Sequence, residues 1–323
     1  MKKEDIRIVF MGTPEFAVSS LDALLNEGYN VVAVVTAPDK PAGRGKKITE
    51  PEVKVFARHR NLNILQPDRL KDPDFVNTLR NLNPNLGIVV AFRMLPEIIW
   101  SLPDLGTFNL HASLLPQYRG AAPINYAIMN GETETGVTTF FLSHEIDTGK
   151  IIFQKKIPVS NETTAGQLHD QLMYVGAKLV VETVKSIEAG NLSLVSQETL
   201  IKRGVELKPA PKIHKEDCKI NWNKNAKEIS DFIRGLSPYP TAFSILKMAD
   251  GTREQVKIYS VISEKINHSN EIGSIYTNNK DTIWVWVNDG RISIAELQIP
   301  GKKRMQTKEF LNGFKISGEC KMD

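Results

Sequence analysis

The chain has 323 residues, 41% of them hydrophobic and 24% charged, with a formal net charge of +4. That length predicts two domains, and the composition excludes a disordered chain. It also excludes a helical membrane protein, because no apolar run reaches the roughly 18 to 20 residues a spanning helix needs.

The start, MKKEDIRIVFMG, has its short apolar run interrupted by Arg7. It reads as a first strand over Ile6 to Met11 and not as a signal peptide. Thr13 is expected to cap a following helix with Pro14 at its first position, where Phe16, Ala17, Leu21, Leu24 and Leu25 recur at helical spacing. Asn30 to Thr36 and Leu86 to Ala91 read as further buried strands, with a helical stretch closing at Val55 to Arg60 between them. This alternation predicts an α/β fold with a mostly parallel, Rossmann-like sheet covered by helices on both faces. Beyond Phe108 follow a helix in AAPINYAIMNG, strands in VTTFFL and IIFQKKIPV, and a helix over Ala165 to Ala189. That helix places Leu168, Leu172, Val175, Leu179, Val180, Val184 and Ile187 on one face.

From Lys202 to Asn225 the periodicity dissolves, and Pro209 and Pro211 mark a linker. A helix over Ala226 to Leu236 then leads into short strands: TAFSIL, QVKIYSV, GSIYT, TIWVWV and RISIAEL. Their spacing, with a turn expected at Asp289-Gly290, predicts a small antiparallel β-barrel. From Lys208 onward there are 19 Lys and Arg against 14 Asp and Glu, while the preceding part has 22 against 23. A basic back half suits a polyanionic partner, although an excess this small also arises in ordinary solvated surfaces. Cys218 and Cys320 have no CxxC partner. Neither a zinc site nor a disulfide framework is expected, and a reducing, cytoplasmic compartment is.

The segment Gly106 to Pro116 is the strongest chemical candidate. Asn109 and His111 lie two apart, so on an extended chain both point to one side. A strand end of an open α/β sheet is also where such folds put their sites. An amide can donate to a developing oxyanion while an imidazole moves protons; a structural histidine at a strand end would give the same pattern. Downstream, Asp147 in Asp147-Thr148-Gly149 reads either as a turn residue or as a carboxylate that orients His111 and raises its basicity. His144 and Glu145 complete a conceivable metal set with His111, but they lack paired ligand spacing and no metal is expected.

Gly12 does not open a G-x-G-x-x-G motif, and no G-x-x-x-x-G-K-[ST] occurs, so dinucleotide and P-loop readings fail. The loop Asp39 to Lys47 carries Lys40, Arg44, Lys46 and Lys47 among glycines. It suits phosphate-backbone contacts as well as it suits plain solvation. A second basic cluster is Gly301-Lys302-Lys303-Arg304, between barrel strands or just after them.

Taken together, IVFMGTPEFAVSSLDALL, APDKPAGRGKK, NLHASLLPQYRGAAPI, TGVTTF…IDTGKII, INWNKNAKEISDFIRGLSPYPTAF and GKKRM span nearly the whole chain. On these stretches it resembles the methionyl-tRNA formyltransferase family. The resemblance implies a formyltransferase domain over 1–189, a linker over 190–211 and an OB-like, tRNA-binding barrel over 212–323. It places the catalytic trio on Asn109, His111 and Asp147. Folate-binding positions fall on Ser113, Leu114, Leu115 and Pro116, with Phe92, Arg93 and Leu95 in the pterin-pocket wall. Contacts to tRNA fall on Arg44, Lys46 and Lys47 and, in the barrel, on Lys302, Lys303 and Arg304. One departure stands out: Glu145-Ile146 occupies the place where members commonly have Gly-Leu. The implied reaction moves a formyl group from 10-formyltetrahydrofolate to the α-amino group of methionyl initiator tRNA, in a cytoplasmic enzyme expected to be monomeric.

Three other readings compete. A formyltransferase acting on a phosphoribosyl-glycinamide or an amino sugar shares the catalytic core but has no use for two basic patches. Hydrolysis of formyl-folate would replace the amine by water. A non-catalytic tRNA-binding module would leave Asn109, His111 and Asp147 without a purpose.

Overall fold

A computed structural model describes residues 1–42, 47–201, 204–316 and 318–323. Arg44 and Lys46 lie outside the described residues, as do Gly43, Gly45, Lys202, Arg203 and Ser317. Contacts divide the chain into two compact units: Met1–Gly120, Thr135–Ile157 and His169–Pro209 form one, and Ala121–Glu134, Pro158–Leu168 and Ala210–Asp323 the other. Residues 190–209 pack as part of the first unit, and two internal segments join the second.

In the first half, β1 (Arg7–Gly12) leads into α1 (Glu15–Asn26), β2 (Asn30–Val35), the short strands β3 (Lys40–Ala42) and β4 (Lys47–Thr49), and α2 (Glu52–His59). Next come β5 (Ile64–Leu65), α3 (Pro73–Asn81), β6 (Leu86–Val90), α4 (Glu97–Trp100) and β7 (Thr107–His111). The chain continues through α5 (Pro123–Met129), β8 (Glu134–Phe141), β9 (Ile151–Pro158) and α6 (Ala165–Ala189). The seven-stranded sheet has the order β5-β2-β1-β6-β7-β8-β9. Its pairs from β5 to β7 are parallel and β7–β8 is antiparallel. Every residue of β6 is buried, as a central strand with covered faces requires. Ile8, Phe10, Leu86, Ile88 and Phe108 are fully enclosed; each such side chain contributes about 1.5–3 kcal/mol of transfer free energy.

The first helix cap shifts by one residue. Pro14, not Thr13, takes the N-cap of α1, and no side chain caps that end; Ala17 N–H donates instead to the Pro14 carbonyl. The glycine-broken basic loop is flanked by paired strands, with β3 and β4 forming an antiparallel ribbon from Lys40↔Thr49 to Ala42↔Lys47.

The second unit contains α7 (Ala226–Gly235), whose N-terminus has an Asn225/Glu228 capping box. The barrel strands are β10 (Ala242–Lys247), β11 (Arg253–Lys265), β12 (Ile275–Thr277), β13 (Ile283–Val287) and β14 (Gly290–Gln298). After them come β15 (Met305–Gln306), α8 (Thr307–Gly313) and β16 (Lys321–Met322). The sheet order is β12-β13-β14-β11-β10-β16, with β15 on β14. The circuit closes because β16 also meets the approach to β12: Ile275 N–H donates to the Cys320 carbonyl and Met322 N–H to the Gly273 carbonyl. Closure removes open edges from an antiparallel sheet. Alternation is clean on β13, where Ile283, Val285 and Val287 point inward and Trp284 stacks outside on Tyr276.

The β13–β14 turn is Asn288-Asp289, because Val287 pairs with Gly290. Gly290 is the first residue of β14, and a Cβ there would lie 1.9 Å from the Glu264 carbonyl oxygen. Its role is close strand approach, and the turn sits one residue earlier than Asp289-Gly290.

Candidate active site

Asn109 and His111 sit on the last turn of chain in β7, paired to Val89 on one side and to Phe140 and Thr138 on the other. This is the carboxyl end of a strand in a mostly parallel sheet, where loops can converge on a side chain held by rigid backbone. His111 is buried. Its Nε2 lies 2.8 Å from the Tyr118 carbonyl oxygen. A carbonyl only accepts, so Nε2 carries the hydrogen and, in the neutral ring, Nδ1 keeps its lone pair. Nδ1 faces Asp147 Oδ2 at 3.9 Å. That separation is too long for a hydrogen bond. The ring is oriented by the Tyr118 main chain, and the carboxylate acts across a gap. The Asn109 carboxamide makes no hydrogen bond among the described residues.

Asp147 lies in a tight turn with φ +55°, a left-handed conformation uncommon outside glycine. Its Oδ2 accepts from Gly120 N–H at 2.9 Å. The turn is braced from within, since Thr148 Oγ1 donates to the Glu145 carbonyl and meets Ser143 Oγ. Gly149 is required by contact: a Cβ there would lie 1.7 Å from the Phe141 carbonyl oxygen. The turn reading therefore holds, and the same turn brings the carboxylate to 3.9 Å from the imidazole without a hydrogen bond that would orient the ring. Beside it opens a cleft of about 500 Å³ lined by Leu142, Ser143, His144, Thr148, Leu194 and Glu198.

The residues expected to bind folate separate into two groups. Ser113, Leu115 and Pro116 are buried. Ser113 Oγ donates to the Gln117 carbonyl, Leu115 N–H donates to Thr138 Oγ1, and Thr138 Oγ1 donates to the Ser113 carbonyl. The Ser113 hydroxyl and the main chain of Ser113 and Leu115 thus hold the loop after β7, and Leu114 is half-buried. Leu95 is a member of the apolar cluster of Val9, Val35 and Val89, against which Phe92 and Leu142 also pack. Leu142 thereby joins that cluster to the cleft. Arg93 is turned away, its guanidinium donating to the carbonyls of Asp68 and Pro67.

His144 is exposed, 3.6 Å from Glu97 and edge-on to Trp100. Among the described residues no group of three or more His, Cys, Asp or Glu side chains is placed to hold a metal. Cys218 and Cys320 are buried thiols, and burial pushes the Cys218 pKa up.

In the barrel, Lys302 and Lys303 are exposed in the connection between β14 and β15. Arg304 differs from them. It pairs with Glu296 and lies over the Tyr259 ring at 4.4 Å, and the Glu296 contact raises its pKa. Lys47 belongs to β4.

Sequence reasoning missed three groups around the pair. The Tyr118 carbonyl and the Gly120 N–H are main-chain atoms and carry no sequence label. Gln197 lies in the segment read as linker; it is buried and spans from Arg119 to the Asp147 turn.

The fold and this strand-end site define a formyl transferase: a family model described as formyl transferase matches residues 6–184, and one described as formyl transferase, C-terminal domain, matches 212–315. More particularly, the chain belongs to the methionyl-tRNA formyltransferase family. It is 55% identical over 325 residues to the protein of that name from Bacteroides thetaiotaomicron, with 100% of both chains covered. Among solved structures it is similar to an N-formyltransferase from Helicobacter canadensis in complex with folinic acid and dTDP-3-aminofucose. That match has a TM-score of 0.63 and 20% identity, covering 90% of this chain and 98% of that one. HypX from Aquifex aeolicus in complex with tetrahydrofolic acid matches with a TM-score of 0.61 and 17% identity, over 95% of this chain and 47% of that one. No helix among the described residues is long and apolar enough to cross a membrane.

Proposed function

We propose that this protein transfers the formyl group of 10-formyltetrahydrofolate to the α-amino group of methionyl initiator tRNA in the cytoplasm, without a metal. The observation that carries this reading is the open Asn109 carboxamide beside an imidazole with an available Nδ1, at the end of β7. Two solved structures of the same fold hold folate derivatives, and the full-length relative named above is a methionyl-tRNA formyltransferase. The cleft beside the Asp147 turn gives the pterin and its linker room, with Leu142, Phe92 and Leu95 supplying apolar contact and the Ser113–Pro116 segment acting through its main chain.

In the reaction, the neutral amine attacks the formyl carbon and the carbonyl oxygen becomes an oxyanion. Asn109 donates a hydrogen bond to that oxygen. His111 Nδ1 takes the proton from the attacking nitrogen, and the Asp147 carboxylate stabilises the imidazolium across the 3.9 Å gap. The same proton passes to the folate nitrogen as its bond to the formyl carbon breaks. The products are formyl-methionyl-tRNA and tetrahydrofolate, and His111 is again neutral. Acceptor tRNA is held by phosphate contacts from Lys302, Lys303 and Arg304 and from Arg44, Lys46 and Lys47.

The test is formyl transfer from 10-formyltetrahydrofolate to methionyl initiator tRNA, run beside free methionine, uncharged tRNA and a nucleotide-linked amino sugar. Transfer confined to the charged tRNA supports the reading. Transfer to the amino sugar in its place, or formate release without an acceptor, overturns it.

A further inference from the structure

Residues 190–209 were expected only to connect two domains, yet Val195 makes both hydrogen bonds of an antiparallel bridge to Ile151 of β9, at 2.8 and 2.9 Å. The bridge places Gln197, which opens a short 3-10 turn over Gln197–Leu200, inside the protein with 2% of its surface exposed. Its carboxamide uses its full capacity. Nε2 donates to the Asp147 carbonyl at 2.8 Å and the Gly149 carbonyl at 2.9 Å. Oε1 accepts from Arg119 Nε at 3.1 Å and Nη2 at 2.6 Å.

These partners belong to two different loops that meet at His111. Arg119 lies between Tyr118, whose carbonyl fixes the imidazole, and Gly120, whose N–H binds the Asp147 carboxylate. The Asp147 and Gly149 carbonyls belong to the turn that carries the carboxylate. One buried amide therefore grips the imidazole-orienting loop with its oxygen and the carboxylate-bearing turn with its nitrogen. Asp147 is in the left-handed region, which a residue other than glycine holds only when its surroundings over-determine it. Two donors aimed at the carbonyls on either side of Thr148 are such a constraint. A second fastening keeps the segment in place: Lys208 N–H donates to Gln117 Oε1, Gln117 Nε2 donates to the Glu206 carbonyl, and Tyr118 N–H donates to the Lys208 carbonyl.

We infer that Gln197 is a positioning residue for formyl transfer, setting the His111–Asp147 separation by clamping the Tyr118–Gly120 loop to the Asp147–Gly149 turn. It touches neither substrate nor the reacting atoms. The inference rests on the proposed reaction only for its kinetic readout, since the geometry it controls is set by hydrogen bonds within the chain itself.

The experiment compares Gln197→Leu, which removes all four hydrogen bonds at similar volume, with Gln197→Glu, which keeps an oxygen for Arg119 but loses both donors to the turn. Thr199→Ala on the same 3-10 turn is the control, because Thr199 is exposed and its hydroxyl bonds only the Ser196 carbonyl. Transfer kinetics are measured with charged tRNA, together with melting temperature and the 15N spectrum of the His111 ring in the free protein. For both Gln197 variants kcat is expected to fall by about ten- to a hundredfold, while KM for the folate stays within about threefold. The His111 ring is expected to change from one dominant Nε2–H tautomer to a mixture, and Thr199→Ala is expected to match wild type in every readout. An unchanged His111 spectrum and kcat in Gln197→Leu overturns the inference. So does a fall in kcat that merely follows a lost melting transition in both variants. If wild type shows no transfer to charged tRNA, the proposed function fails while the His111 spectrum still decides the role of Gln197.

Discussion

His111 Nδ1 and Asp147 Oδ2 stand 3.9 Å apart with no hydrogen bond between them, and each is held by a main-chain group of the 118–120 loop. A carboxylate so placed reaches the imidazole through charge and not through ring orientation. Two opposite charges at about 4 Å interact by about 1 kcal/mol in water and about 4 kcal/mol at an effective dielectric of 20. Asp147→Asn keeps an oxygen for the Gly120 N–H and removes the charge. Turnover is expected to fall by roughly five- to a thousandfold on that energy scale, with folate affinity from titration calorimetry nearly unchanged. Wild-type turnover in this variant would refute the assignment.

Asn109→Ala removes the one side-chain amide at this strand end that has no partner among the described residues. Loss of an oxyanion donor typically costs about a hundred- to a thousandfold in kcat. The measurement is single-turnover transfer at saturating folate. Because Asn109 makes no internal hydrogen bond, its melting temperature is expected to stay close to that of wild type.

Gly149→Ala tests the turn itself. The new Cβ would lie 1.7 Å from the Phe141 carbonyl oxygen, a clash with main chain that no rotamer relieves. The expected cost is about 1–3 kcal/mol or more, seen as a lower unfolding midpoint in urea, together with loss of turnover as Asp147 is displaced.

For the acceptor, exposed lysines and an engaged arginine predict different behaviour. The double variant Lys302→Ala and Lys303→Ala is expected to weaken binding of initiator tRNA and to lower the slope of log K against log salt by about one unit per lost phosphate contact. Arg304→Ala also frees Glu296 and uncovers Tyr259, so it is expected to lower stability as well as binding. Neutralising Arg44, Lys46 and Lys47 should reduce the slope in the same way while sparing folate binding. An unchanged slope would remove these residues from the tRNA interface.

A pH test is available away from the site. Arg58, then Lys54, hold the Glu50 carboxylate down to about 2 from its ordinary 4.5. The folded pKa lies below the unfolded one, so the stabilisation is fully present above about pH 4.5, declines as pH falls and is gone below about pH 2. The difference in melting temperature between wild type and Glu50→Gln is therefore expected to be constant near neutrality and to vanish on acidification through that window. The exposed setting keeps the difference small.

The strand carrying Asn109 and His111 was legible because side chains on a strand alternate with period two, and the two share a face for that reason alone. The barrel was legible from the same alternation in Ile283, Val285 and Val287. What orients His111 was not, since every peptide unit has the same carbonyl and only the fold decides that Tyr118 supplies it. Gln197 was hidden for a related reason: it lies in the stretch assigned to the linker, and its partners are carbonyls 48 and 50 residues away. The helix start at Pro14 and the turn at Asn288-Asp289 each moved by one residue, because capping and close strand approach are settled by contacts that local propensity does not contain.

The second unit draws α5 and residues 158–168 from between segments of the first unit, and α5 is tied to α7 by the Asn125 amide donating to the Gly235 carbonyl at 2.7 Å. No single cut therefore yields two complete parts. A fragment ending at residue 189 would carry α5 without the helix it packs on, and one beginning at 212 would lack both borrowed segments. Moving the second unit as a whole would require transferring three stretches of sequence in register, so any single truncation point is expected to unravel the packing of both units at once.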